Sequence, residues 1–115
     1  ENVKQAIVTA SETDTELVMR PLRNTERVLK SEATTRLLEK EAALGKDIKF
    51  PDIMAEVAGV YPKIMMDGDM DAGVWSCGMV AGLINDIPTC QELIDTIMSE
   101  AEVLIRQRLK DMIAA

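Results

Sequence analysis

The chain has 115 residues, of which 47% are hydrophobic, and this length is enough for one small domain but short for a complete α/β enzyme. Acidic residues outnumber basic residues by 20 to 13, so a basic face that binds nucleic acid is not expected. The sequence has no histidine, which excludes a Ser-His-Asp triad, a Cys-His pair and a histidine-ligated metal within these residues.

The localisation can be predicted from the same sequence. No apolar run approaches the ~20 residues of a membrane span, and the first residues lack the order of a signal peptide. The two cysteines, Cys77 and Cys90, do not form a C-x-x-C pair. We therefore expect a cytoplasmic protein with reduced thiols that binds neither membrane nor nucleic acid.

The first half of the chain predicts two helices and one extended segment. Asn2 can cap a short helix that ends near Ser11, and residues 16–19 are expected to be extended because Arg20 precedes a proline. A long helix is predicted near residues 25–44, since apolar residues recur there at three- and four-residue spacing up to Gly45. Its apolar stripe consists of Val28, Leu29, Ala33, Leu37 and Leu38.

The second half predicts two further helices on either side of a glycine-rich stretch. Pro51 suits the first turn of a helix that should end at Pro62. Thr89 and Glu92 form a T-x-x-E capping box before a helix predicted at about 90–113. Alternating runs are absent, so the predicted fold class is mainly α with at most one short strand pair.

The stretch from residue 67 to 89 is the most unusual part of the chain. It contains the only tryptophan and four of the six glycines. Glycine is used where φ is positive or where another group approaches the backbone closely. The stretch therefore predicts a glycine-rich loop that leads into a short helix near 79–84, with Ser76 able to cap it.

Three segments of the sequence resemble a known enzyme family. They read V-K-Q-A-I-V-T-A-S-E-T-D-T, R-P-L-R-N-T-E-R-V-L and D-G-D-M-D-A-G-V-W-S-C-G-M-V-A-G-L-I-N-D-I-P-T. Together they are similar to the C-terminal third of the nitronate monooxygenases, formerly called 2-nitropropane dioxygenases. The segments E-V-A-G-V-Y-P and W-S-C-G-M look most like the NADH:quinone reductase branch of that family.

The resemblance implies part of an FMN-dependent (β/α)8 barrel enzyme, seen here without most of the barrel. Residues 1–66 would be the helical lid and substrate domain. Residues 67–115 would be the flavin-proximal glycine-rich loop and a helix that packs on the barrel. The implied substrates are small molecules, either a quinone or an alkyl nitronate, with NAD(P)H as co-substrate, and no catalytic residue falls within this chain.

The resemblance also implies site residues. The cofactor-binding residues would be Trp75, Ser76, Cys77, Gly78 and Met79, and the substrate cleft would include Tyr61, Arg20 and Arg23. Met79 stands where many relatives have Gln, which puts a side-chain hydrogen bond to the flavin in doubt. Each residue has a simpler alternative, in which Trp75 and Cys77 are core residues, Tyr61 is an anchor and the arginines are surface charges.

The acidic run Asp67, Asp69 and Asp71 is not expected to bind a metal. Its spacing begins like a Ca²⁺ loop, but the Gly at the sixth position and the acid at the twelfth are missing. We interpret the run as a solvated turn.

Two functions from different classes follow. The chain is either the C-terminal part of an FMN-dependent oxidoreductase, inactive alone, or a non-catalytic helical module that self-associates. Without the barrel, the apolar face of the last helix is expected to be exposed and to form a homodimer. In the alternative, the stripe of the earlier long helix covers that face and closes a monomeric bundle. The apolar face consists of Leu93, Ile97, Ala101 and Leu104.

Overall fold

A computed structural model describes residues 1 to 113. In chain order the elements are α1 (Asn2–Thr9), β1 (Thr15–Val18), β2 (Glu26–Leu29), α2 (Glu32–Leu44), α3 (Phe50–Val57) and α4 (Cys90–Ile113). Short helical turns occur at Gly45–Asp47, Lys63–Asp67 and Met79–Leu83. The chain is 60% helical with one small sheet, which confirms the prediction of a mainly α fold.

The backbone divides into two compact units, one from Glu1 to Asn85 and one that begins at Asp86. The functional division predicted at residue 66 concerns the whole enzyme and stays a prediction. None of the helices in residues 1 to 113 is both long enough and apolar enough to cross a membrane.

β1 and β2 form an antiparallel hairpin in which Thr15 lies opposite Leu29 and Val18 lies opposite Glu26. The extended segment predicted at 16–19 is therefore confirmed for residues 16–18, whereas Met19 has φ 59° and is not extended. The long helix predicted near 25–44 is wrong at its beginning, because residues 26–29 are a strand and α2 begins only at Glu32. Backbone pairing on both edges of β2 overrides the helical spacing of its apolar residues.

The second edge of β2 pairs with the segment 75–77 of the glycine-rich stretch. The Leu29 N–H donates to the Trp75 carbonyl at 3.3 Å, and the Cys77 N–H donates to the Arg27 carbonyl at 3.0 Å. Ser76 lies opposite Val28 in an antiparallel bridge. The segment thus acts as a short third strand, and it joins the glycine-rich stretch to the first half of the chain.

The core of the first unit consists of two apolar clusters. The larger contains Val18, Met19, Val28, Ala33, Leu37, Ile48, Ile53 and Val74. The smaller contains Leu29, Val60, Ile64 and Trp75, with side chains of α1 packed against it. Val28 and Leu37 are fully buried in the larger cluster, so the stripe that would cover α4 in the alternative to a homodimer belongs to the core of the first unit.

Two buried glutamates have hydrogen-bond partners, and one of these partners is a lysine. The Glu56 carboxylate accepts from Lys40 Nζ, with 2.9 Å between Nζ and Oε2. The Glu41 carboxylate accepts the backbone N–H of Met19, a residue in the left-handed region with φ 59°. Because a buried carboxylate without a partner is costly, these bonds fix α3 against α2 and fix the hairpin turn against α2.

The end of α3 and the cap of the later helical turn at Met79–Leu83 differ from the prediction. Pro51 does lie in the first turn, but the helix ends at Val57 rather than at Pro62. Gly59 has φ 68°, a conformation that turns the chain away from the helix axis. Ser76 does not cap the later helical turn, whose N-cap is Gly78, because Ser76 is held in the bridge to β2.

α4 begins with the predicted capping box. The Thr89 N–H donates to Glu92 Oε2 at 2.8 Å, and the Glu92 N–H donates to Thr89 Oγ1 at 3.2 Å. The hydrogen bond from the Thr89 hydroxyl, followed by the one from its backbone N–H, lowers the pKa of the Glu92 carboxyl. All of the large apolar side chains of α4 are exposed, including the predicted face at Leu93, Ile97 and Leu104.

The backbone of Gly73 is packed so closely that a side chain there should lower the stability of the fold. A Cβ at Gly73 would clash with Val60 and would lie 2.6 Å from the Glu56 carbonyl oxygen, a backbone atom that cannot rotate away. Gly73→Ala should therefore lower the free energy of unfolding by about 1–3 kcal/mol. Urea unfolding followed by the fluorescence of Trp75, the only tryptophan, measures the change.

Gly78→Ala is the matched control for this prediction. A Cβ at Gly78 would meet nothing nearer than Val80 Cγ1 at 3.8 Å, and its φ of −78° suits any residue. Its effect should stay within about 0.5 kcal/mol. Equal unfolding midpoints for the Gly73 and Gly78 variants would contradict the packing described here.

Candidate functional site

Glu26, Tyr61 and Ser76 form a hydrogen-bonded group that we call the Tyr61 cluster. The Ser76 N–H donates to Tyr61 Oη at 3.2 Å, and the two hydroxyl oxygens are also 3.2 Å apart. The Ser76 hydroxyl donates to Glu26 Oε1. The cluster therefore links residues from three distant parts of the sequence.

Local structure explains why these side chains meet. Glu26 and Val28 are two residues apart in β2, so their side chains lie on the same face of the strand. Ser76 lies opposite Val28, and its side chain therefore lies on that face beside Glu26. Tyr61 follows the turn at Gly59 and the buried Val60, which anchors the chain there. Tyr61 remains 43% exposed, and its phenol is accessible from solvent.

The predicted cofactor-binding residues lie in very different surroundings. The Trp75 side chain is only 3% exposed and packs in the smaller apolar cluster, so within this chain it supports the core. Ser76 and Met79 are exposed, and no atom would obstruct a Cβ at Gly78. The stretch 76–79 therefore presents an open surface directly beside a buried anchor.

Cys77 is partly buried and its thiol makes only a weak hydrogen bond. Its Sγ donates to the Gly78 carbonyl at 3.8 Å. Burial raises the pKa of the Cys77 thiol, because the charged thiolate is disfavoured away from water. The arrangement suits a packing residue rather than a nucleophile.

Arg20 and Arg23 lie together in the hairpin turn that precedes Glu26 of the Tyr61 cluster. The Arg23 N–H donates to the Arg20 carbonyl at 3.0 Å, and Arg23 has φ 56°. Both side chains are exposed. Within residues 1–113, no hydrogen bond or ion pair joins either guanidinium to Tyr61, and a substrate cleft that contains all three residues stays a prediction.

The acidic turn has a structural role in the first unit. The Glu32 N–H, at the start of α2, donates to Asp71 Oδ1 at 3.0 Å, and Arg36 donates to the Asp71 carbonyl at 2.9 Å. An acidic side chain at this end of a helix satisfies a free N–H and interacts favourably with the helix dipole. Asp71 thus attaches the glycine-rich stretch to α2.

The sequence analysis did not identify Glu26 as a candidate residue. It assigned Glu26 to a helix, whereas the structure places it at the start of β2 beside Ser76. No local signal identified this strand, because E-R-V-L is four residues long and has two charged residues followed by two apolar ones, with no alternation.

No protein-family model matches the chain. The chain is 46% identical over 59 residues to "(3aS,4S,5R,7aS)-5-hydroxy-7a-methyl-1-oxo-octahydro-1H-indene-4-carboxyl-CoA dehydrogenase" of Mycobacterium tuberculosis, a match that covers 50% of this chain and 17% of that protein. The same enzyme of Rhodococcus jostii is 46% identical over 37 residues, or 32% of this chain and 10% of that protein.

The fold is similar to part of FabK from Thermotoga maritima. The TM-score is 0.76 at 26% identity, over 93% of this chain and 33% of FabK. A methionine-to-alanine variant of FabK gives 0.71 at 22% identity, over 95% of this chain and 31% of the variant. This chain therefore spans a third or less of each of these proteins.

The structural similarity supports the resemblance to the 2-nitropropane dioxygenase type of oxidoreductase at the level of the broad family. It also agrees with a partial (β/α)8 barrel enzyme. The NADH:quinone reductase branch stays a prediction.

The surroundings of the two cysteines predict different reactivities. Because burial raises the pKa of the Cys77 thiol, its thiolate fraction at neutral pH is low, whereas Cys90 is exposed. In the native chain, Cys90→Ser should react with a neutral thiol reagent at least several-fold more slowly than Cys77→Ser. The two variants should react at similar rates in denaturant, and a faster native reaction at Cys77 would contradict its assignment as a packing residue.

Proposed function

We propose that the chain is the C-terminal part of an FMN-dependent oxidoreductase, in which it covers the flavin and shapes the substrate cleft. The observation that carries this proposal is the fold similarity to FabK over nearly the whole chain. The similarity ends at a third of FabK, which supports a chain that is one part of a larger enzyme. The same similarity disfavours a self-associating module without catalytic function.

The stretch 76–79 is suited to lie against a flavin. Ser76 and Met79 expose polar and apolar atoms side by side, and the bare backbone of Gly78 allows close approach of a flat ring. Trp75 anchors the stretch from below rather than contacting the ring. A bound flavin supplies the two-electron chemistry, while these residues supply position and exclude water.

The substrate is the finer part of the proposal. The family resemblance favours either a quinone, reduced by NAD(P)H through the flavin, or an alkyl nitronate, oxidised by O2. A second candidate is a carboxyl-CoA thioester, because the matching segments of two carboxyl-CoA dehydrogenases are 46% identical to this chain. In either case Arg20 and Arg23, exposed in the hairpin turn, are available for a phosphate or carboxylate of the ligand.

We propose that the isolated chain is inactive, so the complete polypeptide and the isolated chain should differ in flavin content and in activity. The complete polypeptide that contains this chain should purify with bound FMN and should catalyse one of three reactions: reduction of a quinone by NAD(P)H, oxidation of an alkyl nitronate by O2, or oxidation of a CoA thioester. The chain alone should show neither activity nor tight FMN binding, because a barrel holds flavin phosphate at loops that are not in this segment. Flavin analysis and stopped-flow spectroscopy of both proteins test the proposal.

Two outcomes would overturn this proposal. A complete polypeptide without flavin would exclude the FMN-dependent function. Submicromolar FMN binding by the 115-residue chain would exclude its role as an incomplete part.

The remaining parts of the proposal concern association and location. We propose that the isolated chain forms a homodimer through the exposed apolar face of α4, since such a face gains about 25 cal/mol per Å² when it is buried. A cytoplasmic location is also retained as a proposal.

A further inference from the structure

The hydrogen bonds of the Tyr61 cluster have a defined order. The Ser76 hydroxyl has one proton, and it donates this proton to the Glu26 carboxylate, which can only accept. Ser76 Oγ is therefore free only to accept, and the group within reach is the Tyr61 hydroxyl at 3.2 Å. The order runs from the Tyr61 hydroxyl to Ser76 and then to Glu26.

A further bond acts on the Tyr61 oxygen. The backbone N–H of Ser76 donates to Tyr61 Oη at 3.2 Å. Ser76 thus contacts the Tyr61 hydroxyl twice, because its side chain accepts the hydrogen bond from that hydroxyl and its backbone N–H donates to the same oxygen. These two bonds fix the position of Tyr61 Oη relative to Ser76.

We propose that Tyr61 is a catalytic proton acceptor, and that Ser76 and Glu26 are positioning residues that carry the proton onward. The proposal rests on the proposed flavin-dependent function. Tyr61 and Ser76 are both exposed, and Tyr61 is assigned the contact with the substrate because the Ser76 hydroxyl already donates to Glu26 and its Oγ accepts from Tyr61. The substrate class is the carboxyl-CoA thioester candidate of the proposed function, oxidised at an acidic X–H group, where X is carbon or oxygen, next to a carbon that bears a hydrogen. A quinone is reduced rather than oxidised and does not undergo this step.

In the proposed step the substrate loses a proton to the Tyr61 cluster and a hydride to the flavin. The substrate X–H bond breaks and its proton goes to Tyr61 Oη, while the tyrosine proton moves to Ser76 Oγ and the serine proton moves to Glu26 Oε1. The electron pair left on X forms a double bond to the neighbouring carbon. The C–H bond of that carbon breaks, and its hydrogen leaves as a hydride to the oxidised flavin. The substrate thus loses one proton and one hydride, and Glu26 becomes neutral.

The order of the hydrogen bonds can be tested without flavin. Tyr61 is the only tyrosine in the 115-residue chain, so the Fermi doublet in ultraviolet resonance Raman spectra reports its hydroxyl alone. In Glu26→Ala the Ser76 hydroxyl loses its acceptor and can donate to Tyr61 Oη instead. The doublet should then change from the pattern of a tyrosine hydroxyl that donates a hydrogen bond to the pattern of one that accepts it. Ser76→Ala, which removes the proton acceptor with little change of shape, should also weaken the donor pattern.

Glu39→Ala is the control in this experiment. Glu39 is an exposed glutamate on α2 outside the Tyr61 cluster, and its removal should leave the doublet unchanged. Circular dichroism identifies any variant that fails to fold. If the doublet is unchanged in both Glu26→Ala and Ser76→Ala, the proposed order of hydrogen bonds from Tyr61 to Ser76 to Glu26 is wrong.

The catalytic role is tested in the flavin-loaded complete polypeptide by single-turnover flavin reduction in H2O and D2O. Tyr61→Phe should slow flavin reduction by substrate by about 10²-fold, the lower range for general acid–base catalysis. Glu26→Gln can accept the same hydrogen bond but cannot take the proton as a carboxylate, so it should slow the reaction and change the solvent isotope effect. Glu39→Gln should behave as the wild type.

The results distinguish this proposal from the proposed function. If the wild-type protein reduces its flavin and Glu26→Gln keeps both the rate and the solvent isotope effect, the proton relay is wrong and the flavin function stands. If the wild-type protein holds no flavin, the proposed function is wrong. The Raman spectra still decide whether the hydrogen bonds run from Tyr61 to Ser76 to Glu26.

Discussion

The pairing between β2 and the segment 75–77 is the contact on which the first unit depends. It joins residues more than forty positions apart through two backbone hydrogen bonds and the bridge between Val28 and Ser76. On one face this pairing buries Trp75 against Leu29, and on the other it brings Ser76 to Glu26. A single strand-like contact therefore creates both a core cluster and the candidate site.

The hairpin that carries β2 is itself held from α2. Glu41 accepts the N–H of Met19 in the turn, and Thr34 Oγ1 donates to the Leu29 carbonyl at 2.9 Å at the other end of the hairpin. Since both glutamate and threonine are buried, losing either bond would leave a polar group without a partner. These bonds keep a two-stranded ribbon, which is marginal alone, in a fixed position.

The second unit, α4 with its capping box, differs from the first unit in what defines it and in the exposure of its apolar side chains. Its helix is well defined by local sequence, yet its apolar side chains are exposed along its whole length. Soluble proteins rarely leave such a surface uncovered. Together with the match to one third of FabK, this exposure supports an element that is completed by other parts of a larger polypeptide.

Local signals in the sequence were sufficient for much of the fold. The T-x-x-E box fixed the start of α4, Pro51 marked the first turn of α3, and helical spacing identified most of α2. β2 could not be predicted, because Val28 and Leu29 fit a helical stripe and the pairing that makes them a strand comes from a distant segment.

The same limitation applies to the candidate site. The family resemblance drew attention to Tyr61 and to Ser76, but the sequence does not contain the information that they share a hydrogen bond. Glu26 was missed because its role depends entirely on the register of β2. Long-range backbone pairing thus determines both what was missed in the fold and what was missed in the site.

The most direct measurement is a crystal structure of the complete, flavin-loaded polypeptide that contains this chain. The account predicts that Ser76, Gly78 and Met79 lie within about 4 Å of the flavin, in van der Waals contact, and that Tyr61 faces the substrate side of the ring. It also predicts that Ser76 keeps its bridge to Val28. A flavin bound far from this stretch, or absent, would contradict the central claim that this segment covers the cofactor.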